Sequence, residues 1–414
     1  MNDQPTVKIK SAKNLKSRLT EHLNVLCNVC KERHSGSTGE LKAAKYIFNK
    51  FREYGLEAVD EYFPSPGWRY GKYSFLSSGR KVKLNCFPCY FSNPCDVSGK
   101  ITVIESPERI DHYDLAGKIC LVLLDIADGS GIGSRNNLAE MLDARGAAVM
   151  IVTGRFHQTV DTKIIRTPRL KQMAVMTIPT EELWKIAANC NSRFRIKIRA
   201  ERFEYRARNV IDRINGNGKY KVVIGAHYDT APGTVGACDD ASGTATLLEM
   251  ARRLKARPGF PWGIAVDFVA FSGEEYGGPG KALGSFEYVR AHTHRGELDN
   301  ILWMCNMDDV GVALAKDSVH VSRSWRLKED IRKIVEPLGI RVMDANPSSD
   351  NVAFFHNAIP DFWFYSKGSQ MIHSPADVPG ILDFDKMANI CAAAVKTMSH
   401  LLKNNHFDTN RNIQ

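Results

Sequence analysis

From about Asn14 to Lys31 and from about Thr38 to Tyr54, Leu, Ile and Phe recur every three or four positions, the spacing that gathers apolar side chains on one helical face. Two amphipathic helices are predicted there. Between them lies the loop RHSGSTGE, in which Ser37 or Thr38 can cap the second helix at the amides of Glu40 or Leu41. From about Ser98 the texture changes. KITVIES and GKICLVLLD read as short strands, LAEMLDARG as a helix, AAVMIVTG and MAVMTIP as strands, with a further helix near Glu181. This stretch predicts a compact insert. NVIDRI then resumes the alternation, and after the turn NGNGK the run KVVIGAHYD reads as a buried strand, being short, β-branched and polar only at its end. ASGTATLLEMARRLKA follows as an amphipathic helix, WGIAVDFVAFS as a strand, FEYVRAH as part of a helix and NILWMCNM as a strand. Strand and helix alternating in this way predict a three-layer α/β/α sandwich on a mostly parallel mixed sheet. Ligands of such sheets bind outside the carboxyl ends of the strands.

The polar residues that end strands therefore carry the candidate chemistry. KVVIGAHYD ends in His227 and Asp229, VDFVAFSGEE in Glu274 and Glu275, and ILWMCNMDD in Asp308 and Asp309. DFWFYS is followed by the loop KGSQMIHSPAD with His373, and Asp239 opens a helix in GACDDASG. Two divalent ions roughly 3.5–4 Å apart can clamp the attacking and departing oxygens of a hydrolysis. They require a bridging carboxylate, for which Asp239 is suited, and His and carboxylate ligands that leave positions open for water. A carboxylate outside the ligand set must move the proton, and adjacent Glu274 and Glu275 can divide those tasks. Asp229, two residues after His227, can accept the far imidazole N–H and fix the ring's tautomer.

The series HYDT, GACDDASGTATLLE, FSGEEYG, CNMDDVG and HSPAD resembles the M28 metallopeptidase family over roughly His227 to Asp377. The resemblance implies a zinc-exopeptidase sandwich with His227, Asp239, Glu275, Asp308 and His373 as metal ligands and Glu274 as general base. It implies two zinc ions, with cobalt or manganese as other divalent candidates, and release of one terminal residue from peptide substrates, most often the amino-terminal one. The insert is similar to the protease-associated domain of many M28 members. Four departures stand out: Asp240 for the usual Asn, Asp309 for Met, Ile372 where many members have Tyr, and the longer loop YGGPGKALGS. Ile372 leaves the group that stabilises the developing oxyanion unassigned. Asp309 can attract a substrate amino group or cap a turn; Asp350 and Asn351 can line the site or cap a helix.

At 414 residues the chain is long for one core, and the expected division is 1–97 and 204–414 for the catalytic part and 98–203 for the insert. Its formal net charge of +10 is spread over 56 Lys and Arg without a basic block interleaved with aromatics, which argues against nucleic acid. No apolar run reaches the roughly 18 residues of a membrane span, and the first residues lack a signal-like apolar core, so the expected location is cytoplasmic. The ten cysteines are too sparse for a disulfide scaffold. Cys27 with Cys30 and Cys86 with Cys89 form two CxxC pairs that resemble a zinc knuckle, against the simpler reading as core thiols. His292, His294 and His356 read as surface residues. Carboxypeptidase or dipeptidase action on the same site would need a cation for the substrate carboxylate, with Arg323, Arg326 and Lys367 as candidates. A catalytically inactive relative acting as a binding module is the reading from another class.

Overall fold

The computed structural model describes residues 15–77, 82–123, 135–276, 283–344, 346–367 and 371–403. The segment 1–14 that was read for a signal and residues 277–282 of the long YGGPGKALGS loop lie outside them. The first predicted helix is α1 (15–23), continuing as a wider turn through Asn24–Cys30, and the second is α2 (Thr38–Glu53). Ser37 caps α2 by accepting the Glu40 N–H at 3.1 Å, satisfying one of the amides that the first helical turn leaves without a partner.

The apolar runs become strands that alternate between two cores. In β9 (Lys221–His227), Val222, Ile224 and Ala226 point to one face and Val223 to the other; in β10 (Ala265–Phe271), Val266, Phe268 and Ala270 oppose Val269 and Phe271. β11 (Ile301–Met307) divides in the same way, with Trp303, Cys305 and Met307 against Ile301 and Met304. Both faces are apolar because helices cover both. The first face packs against α1, α2, α5 (Gly243–Lys255), α7 (Trp325–Val335) and α9 (Phe384–Lys403). The second packs against α6 (Leu283–His294) and α8 (Asn351–His356). Burying each large apolar side chain contributes about 1.5–3 kcal/mol, so this layering is the main source of stability.

The large sheet has nine strands, in the order β1-β8-β10-β9-β11-β14-β12-β13, with β3 (Cys95–Gly99) also on β8. Here β1 is Ala58–Ser77, β8 Phe194–Ile214, β12 Lys316–Ser322, β13 Arg341–Asp344 and β14 Asp361–Lys367. The central four, β10-β9-β11-β14, are parallel neighbours, while β1, β8 and β12 join antiparallel. The carboxyl ends of the central four therefore lie side by side on one edge. No helix among the described residues is long and apolar enough to cross a membrane.

A second sheet runs β2-β7-β6-β5-β4, from β2 (Phe87–Pro88), β4 (Ile101–Val103), β5 (Ile119–Val122), β6 (Val149–Thr153) and β7 (Ala174–Ile178). One face packs on α3 (Arg135–Ala144) through Leu138, Ala139 and Leu142. The other packs on the far half of the β1/β8 ribbon through Phe75, Phe194, Ile196 and Ile198. The expected junctions at 97/98 and 203/204 fall inside β3 and β8.

Candidate active site

His227 is the last residue of β9, Glu274 and Glu275 follow β10, and Asp308 follows β11. His373 comes from the loop after β14, and Asp239 from the turn leading into α5. Adjacent parallel strands thus bring together residues spread over about a third of the chain. The turn before Asp239 depends on Gly236, whose φ is +52°; a Cβ there would lie 2.3 Å from the Asp239 carbonyl oxygen.

Asp239 stands at the centre. Its Oδ1 is 3.0 Å from His227 Nε2 and its Oδ2 is 2.9 Å from His373 Nε2. Asp308 Oδ1 lies 3.8 Å from His227 Nε2, and Glu275 Oε2 lies 3.4 Å from His373 Nε2. Two triads that could each hold a metal ion result, His227–Asp239–Asp308 and Asp239–Glu275–His373, each with donor atoms within 4.8 Å of one another. They share Asp239, one oxygen to each triad. The donor set fits zinc: imidazole nitrogen and carboxylate oxygen, three protein ligands a triad, and room for a further one. The electrostatics agree. Burial lowers the His227 pKa, but the carboxylates of Asp229, Asp239 and Asp308 outweigh it and raise the imidazole well above its usual range. Burial likewise raises Asp239, and the two histidines hold it well below the usual carboxylate range.

Asp229 underlies three of these residues. Its Oδ1 accepts the Glu274 N–H at 3.2 Å and its Oδ2 the Glu275 N–H at 3.1 Å. His227 Nδ1 is 3.5 Å from Oδ1 and 3.3 Å from the Asp229 carbonyl oxygen. Glu275 Oε1 accepts the Ala231 N–H at 2.9 Å, which leaves Oε2 to face Asp239 and His373. Glu274 is pushed above the usual range by burial, with Lys163 and His227 pulling the other way.

Two contributors had not been singled out in the sequence. Asp377, in the HSPAD motif, accepts the Cys238 N–H at 2.7 Å and the Asp239 N–H at 3.2 Å, fixing the shared carboxylate from behind. Its position at the end of a quoted motif was the available signal. Lys163 comes from the loop between β6 and β7; its Nζ lies 3.3 Å from Glu274 Oε2 and in ion-pair contact with Glu275 Oε2, with the side chain 8% exposed. Nothing in VDTKIIRTP marks it, because its meaning comes from the approach of the second sheet.

Other candidates lie elsewhere. Asp309 is buried, has a φ of +54° and accepts from Cys238 Sγ at 3.0 Å, so its carboxylate faces the packed interior. Asp350 makes no side-chain cap to α8 and is fully buried, and burial raises its carboxyl well above the usual range. Its neighbour Asn351 donates to Asp361 Oδ1 at 2.7 Å. His292 is a correction: it is fully buried in the last turn of α6, with Nδ1 2.9 Å from the Tyr288 carbonyl, because its ring packs on the buried Tyr288 ring one turn back, centroids 4.2 Å apart. Arg323 stacks 4.0 Å from the Phe355 ring centroid. The CxxC pairs do not form a knuckle: Cys27 and Cys30 sit in the large core, Cys86 and Cys89 in two separate clusters, and no metal-competent group among the described residues contains a cysteine. Burial pushes the thiols up, Cys27 to about 11 and Cys86 to about 12.

A mixed α/β sandwich with His and carboxylate triads at its strand ends defines a metal-dependent hydrolase. Residues 209–398 match Peptidase family M28. That match covers just under half of the chain, and the protein is a metallopeptidase. It is 26% identical over 347 residues to Aminopeptidase YwaD of Bacillus subtilis, covering 79% of this chain and 70% of the relative. Among solved structures it resembles the Bacillus subtilis zinc aminopeptidase BSAP, with TM-score 0.77, 22% identity and coverage of 96% and 97%. It also resembles a peptidase M28 precursor from Shewanella amazonensis, with TM-score 0.78, 19% identity and coverage of 97% of each chain.

Proposed function

We propose that the chain is an exopeptidase that uses two zinc ions and releases amino-terminal residues from peptides. The observation that carries this reading is the division of Asp239, one oxygen toward His227 and the other toward His373. A carboxylate shared between two incomplete ligand sets fits a pair of ions. The amino-terminal preference is supported by the relatives described as aminopeptidases, and zinc by the description of the Bacillus subtilis structure.

In this reading His227, Asp239 and Asp308 hold one ion and Asp239, Glu275 and His373 the other. Zinc held there supplies Lewis acidity, polarising the scissile carbonyl and acidifying a water. Glu274, outside both triads, accepts the proton of the attacking water and delivers it to the nitrogen of the departing amine as the C–N bond breaks. Asp229 keeps Glu274 and Glu275 in their relative positions through both amides. We assign residues 98–203 as an insert similar to a protease-associated domain.

Glu274→Gln tests the base assignment. The variant is expected to bind zinc as the wild type does and to lose at least about a hundredfold in kcat, within the range general acid–base groups contribute. Full activity in that variant would refute the assignment. Free, amino-blocked and carboxyl-blocked di- and tripeptides test the polarity, and cleavage that survives amino-blocking would exclude an aminopeptidase.

A further inference from the structure

We propose that Lys163, supplied by the second sheet, is the group that stabilises negative charge on the scissile carbonyl oxygen as the attacking water adds. The proposal rests on the peptidase reading above. Its basis is geometric. The general base must lie within one hydrogen bond of the attacking water, so a donor 3.3 Å from Glu274 Oε2 stands beside the place where that water must sit. The Lys163 ammonium also touches the oxygen of Glu275 that faces His373. It is thus directed at the junction between the base and one ligand triad, in a place sheltered from water where a fixed charge is felt more strongly than in solvent.

The side chain of Ile372, beside His373, carries no hydrogen-bond donor. Arg155, a further cation on this side of the site, is 42% exposed and engaged through its Nε with Asp161 Oδ2 at 2.7 Å. The position of Lys163 is held by a chain of contacts that ends on the site itself. Asp161 Oδ1 accepts the Lys163 N–H at 3.3 Å, and Arg155 Nη2 lies 3.3 Å from His373 Nδ1. The Thr162 N–H and hydroxyl both donate to the His373 carbonyl oxygen, at 2.8 and 3.1 Å. The loop that carries Lys163 is therefore tied directly to His373.

Burying a lysine costs several kcal/mol of desolvation that an aliphatic residue would avoid, so a joint between the two sheets alone does not explain its charge. No proton leaves Lys163 in the proposed role. The ammonium donates hydrogen bonds to the oxygen, while Glu274 carries the proton from water to the amine.

The test uses Lys163→Met and Lys163→Arg in the full-length protein loaded with zinc. Zinc content and melting temperature are measured first, then turnover of an aminoacyl amide, which has no carboxylate, and of the matching dipeptide. Lys163→Met is expected to retain zinc and fold, to lose about a hundredfold in kcat on both substrates and to keep KM within about threefold, as removal of one oxyanion donor does. Calorimetry should show a similar factor lost in the affinity of a phosphinic peptide analogue, whose oxygens mimic the tetrahedral centre, and Lys163→Arg should recover part of both losses. A loss confined to the KM of the dipeptide would make Lys163 a holder of the substrate carboxylate and overturn the proposal. Loss of zinc with kcat per bound zinc unchanged would make it a structural tie. An active wild type with an equally active Lys163→Met refutes this proposal alone; a wild type that cleaves neither substrate refutes the peptidase reading, and this one with it.

Discussion

Asp229→Asn changes one atom at the point where three residues of the site meet. In the wild type the two carboxylate oxygens accept the amides of Glu274 and Glu275 at 3.2 and 3.1 Å, while His227 Nδ1 stands 3.5 Å away. An asparagine can accept only one of those amides. Its NH2 must then face the other N–H, so one bond to a charged acceptor is lost, at about 1.5–3 kcal/mol, and a donor is set against a donor. The side chain is fully buried, so water cannot easily take over. Part of the loss should appear as looser attachment of Glu275 and His227 to metal, part as displacement of Glu274. A total of about 1.5–3 kcal/mol corresponds to about a ten- to 150-fold effect, in the range seen when outer partners of metal ligands are removed. Zinc affinity is measured by competition with a chromophoric chelator and turnover at saturating zinc. The product of the two losses should fall in that range, with the fold retained by circular dichroism. Zinc affinity and kcat both within twofold of wild type would refute the reasoning.

Two further outcomes follow from groups outside the ligand set. Arg33 is fully buried and donates to the carbonyls of Tyr228, Leu26, Lys31, Val235 and Gly236 at 2.6 to 3.1 Å, clamping the segment between His227 and Asp239. Lysine cannot reproduce that fork, so Arg33→Lys should cost about 2–4 kcal/mol in a denaturant melt and weaken zinc binding; an unchanged midpoint would show the clamp to be dispensable. Asp212 is buried with neither carboxyl oxygen hydrogen-bonded, and burial raises its pKa to about 7, with Lys255 opposing. The folded protein thus keeps a proton that the unfolded chain releases near pH 4. This contribution to stability is full below about pH 4 and declines until pH passes 7. Asp212→Asn should flatten that slope and gain about 2 kcal/mol at pH 8, about half the ceiling set by a three-unit shift; parallel pH–stability curves for the two proteins would refute the assignment.

The main strands were legible because apolar runs such as KVVIGAH and ILWMCNM are short and end in polar residues, and the site follows from asking what sits at those ends. The order of strands was not legible. Nothing in the chain states that β9 lies between β10 and β11, although that neighbourhood is what brings His227 between Glu275 and Asp308. The long β1/β8 ribbon was not legible either, since FPSPGWRYGKYSF mixes proline, glycine and charge across positions that pair with β8 on both sides of an irregularity between Tyr70 and Tyr73. Asp229 was expected to support the His227 ring, and its two bonds to the glutamate amides could not be read from spacing, because they join separate strand ends. Lys163 is the extreme case. An isolated lysine between loops has no pattern, and its role exists only where one sheet leans on another.

The β1/β8 ribbon has a consequence for how such a protein can change over time. Ordinary appended modules hang on tethers and can be exchanged by cutting and splicing at loops. Here both expected seams run through hydrogen-bonded ladders, β3 against β8 and β8 against β1. A recombination that shifted either ladder by one residue would turn Phe194, Ile196 and Ile198 away from the smaller sheet. Grafting therefore has to preserve register, and the two halves inherit as a single piece.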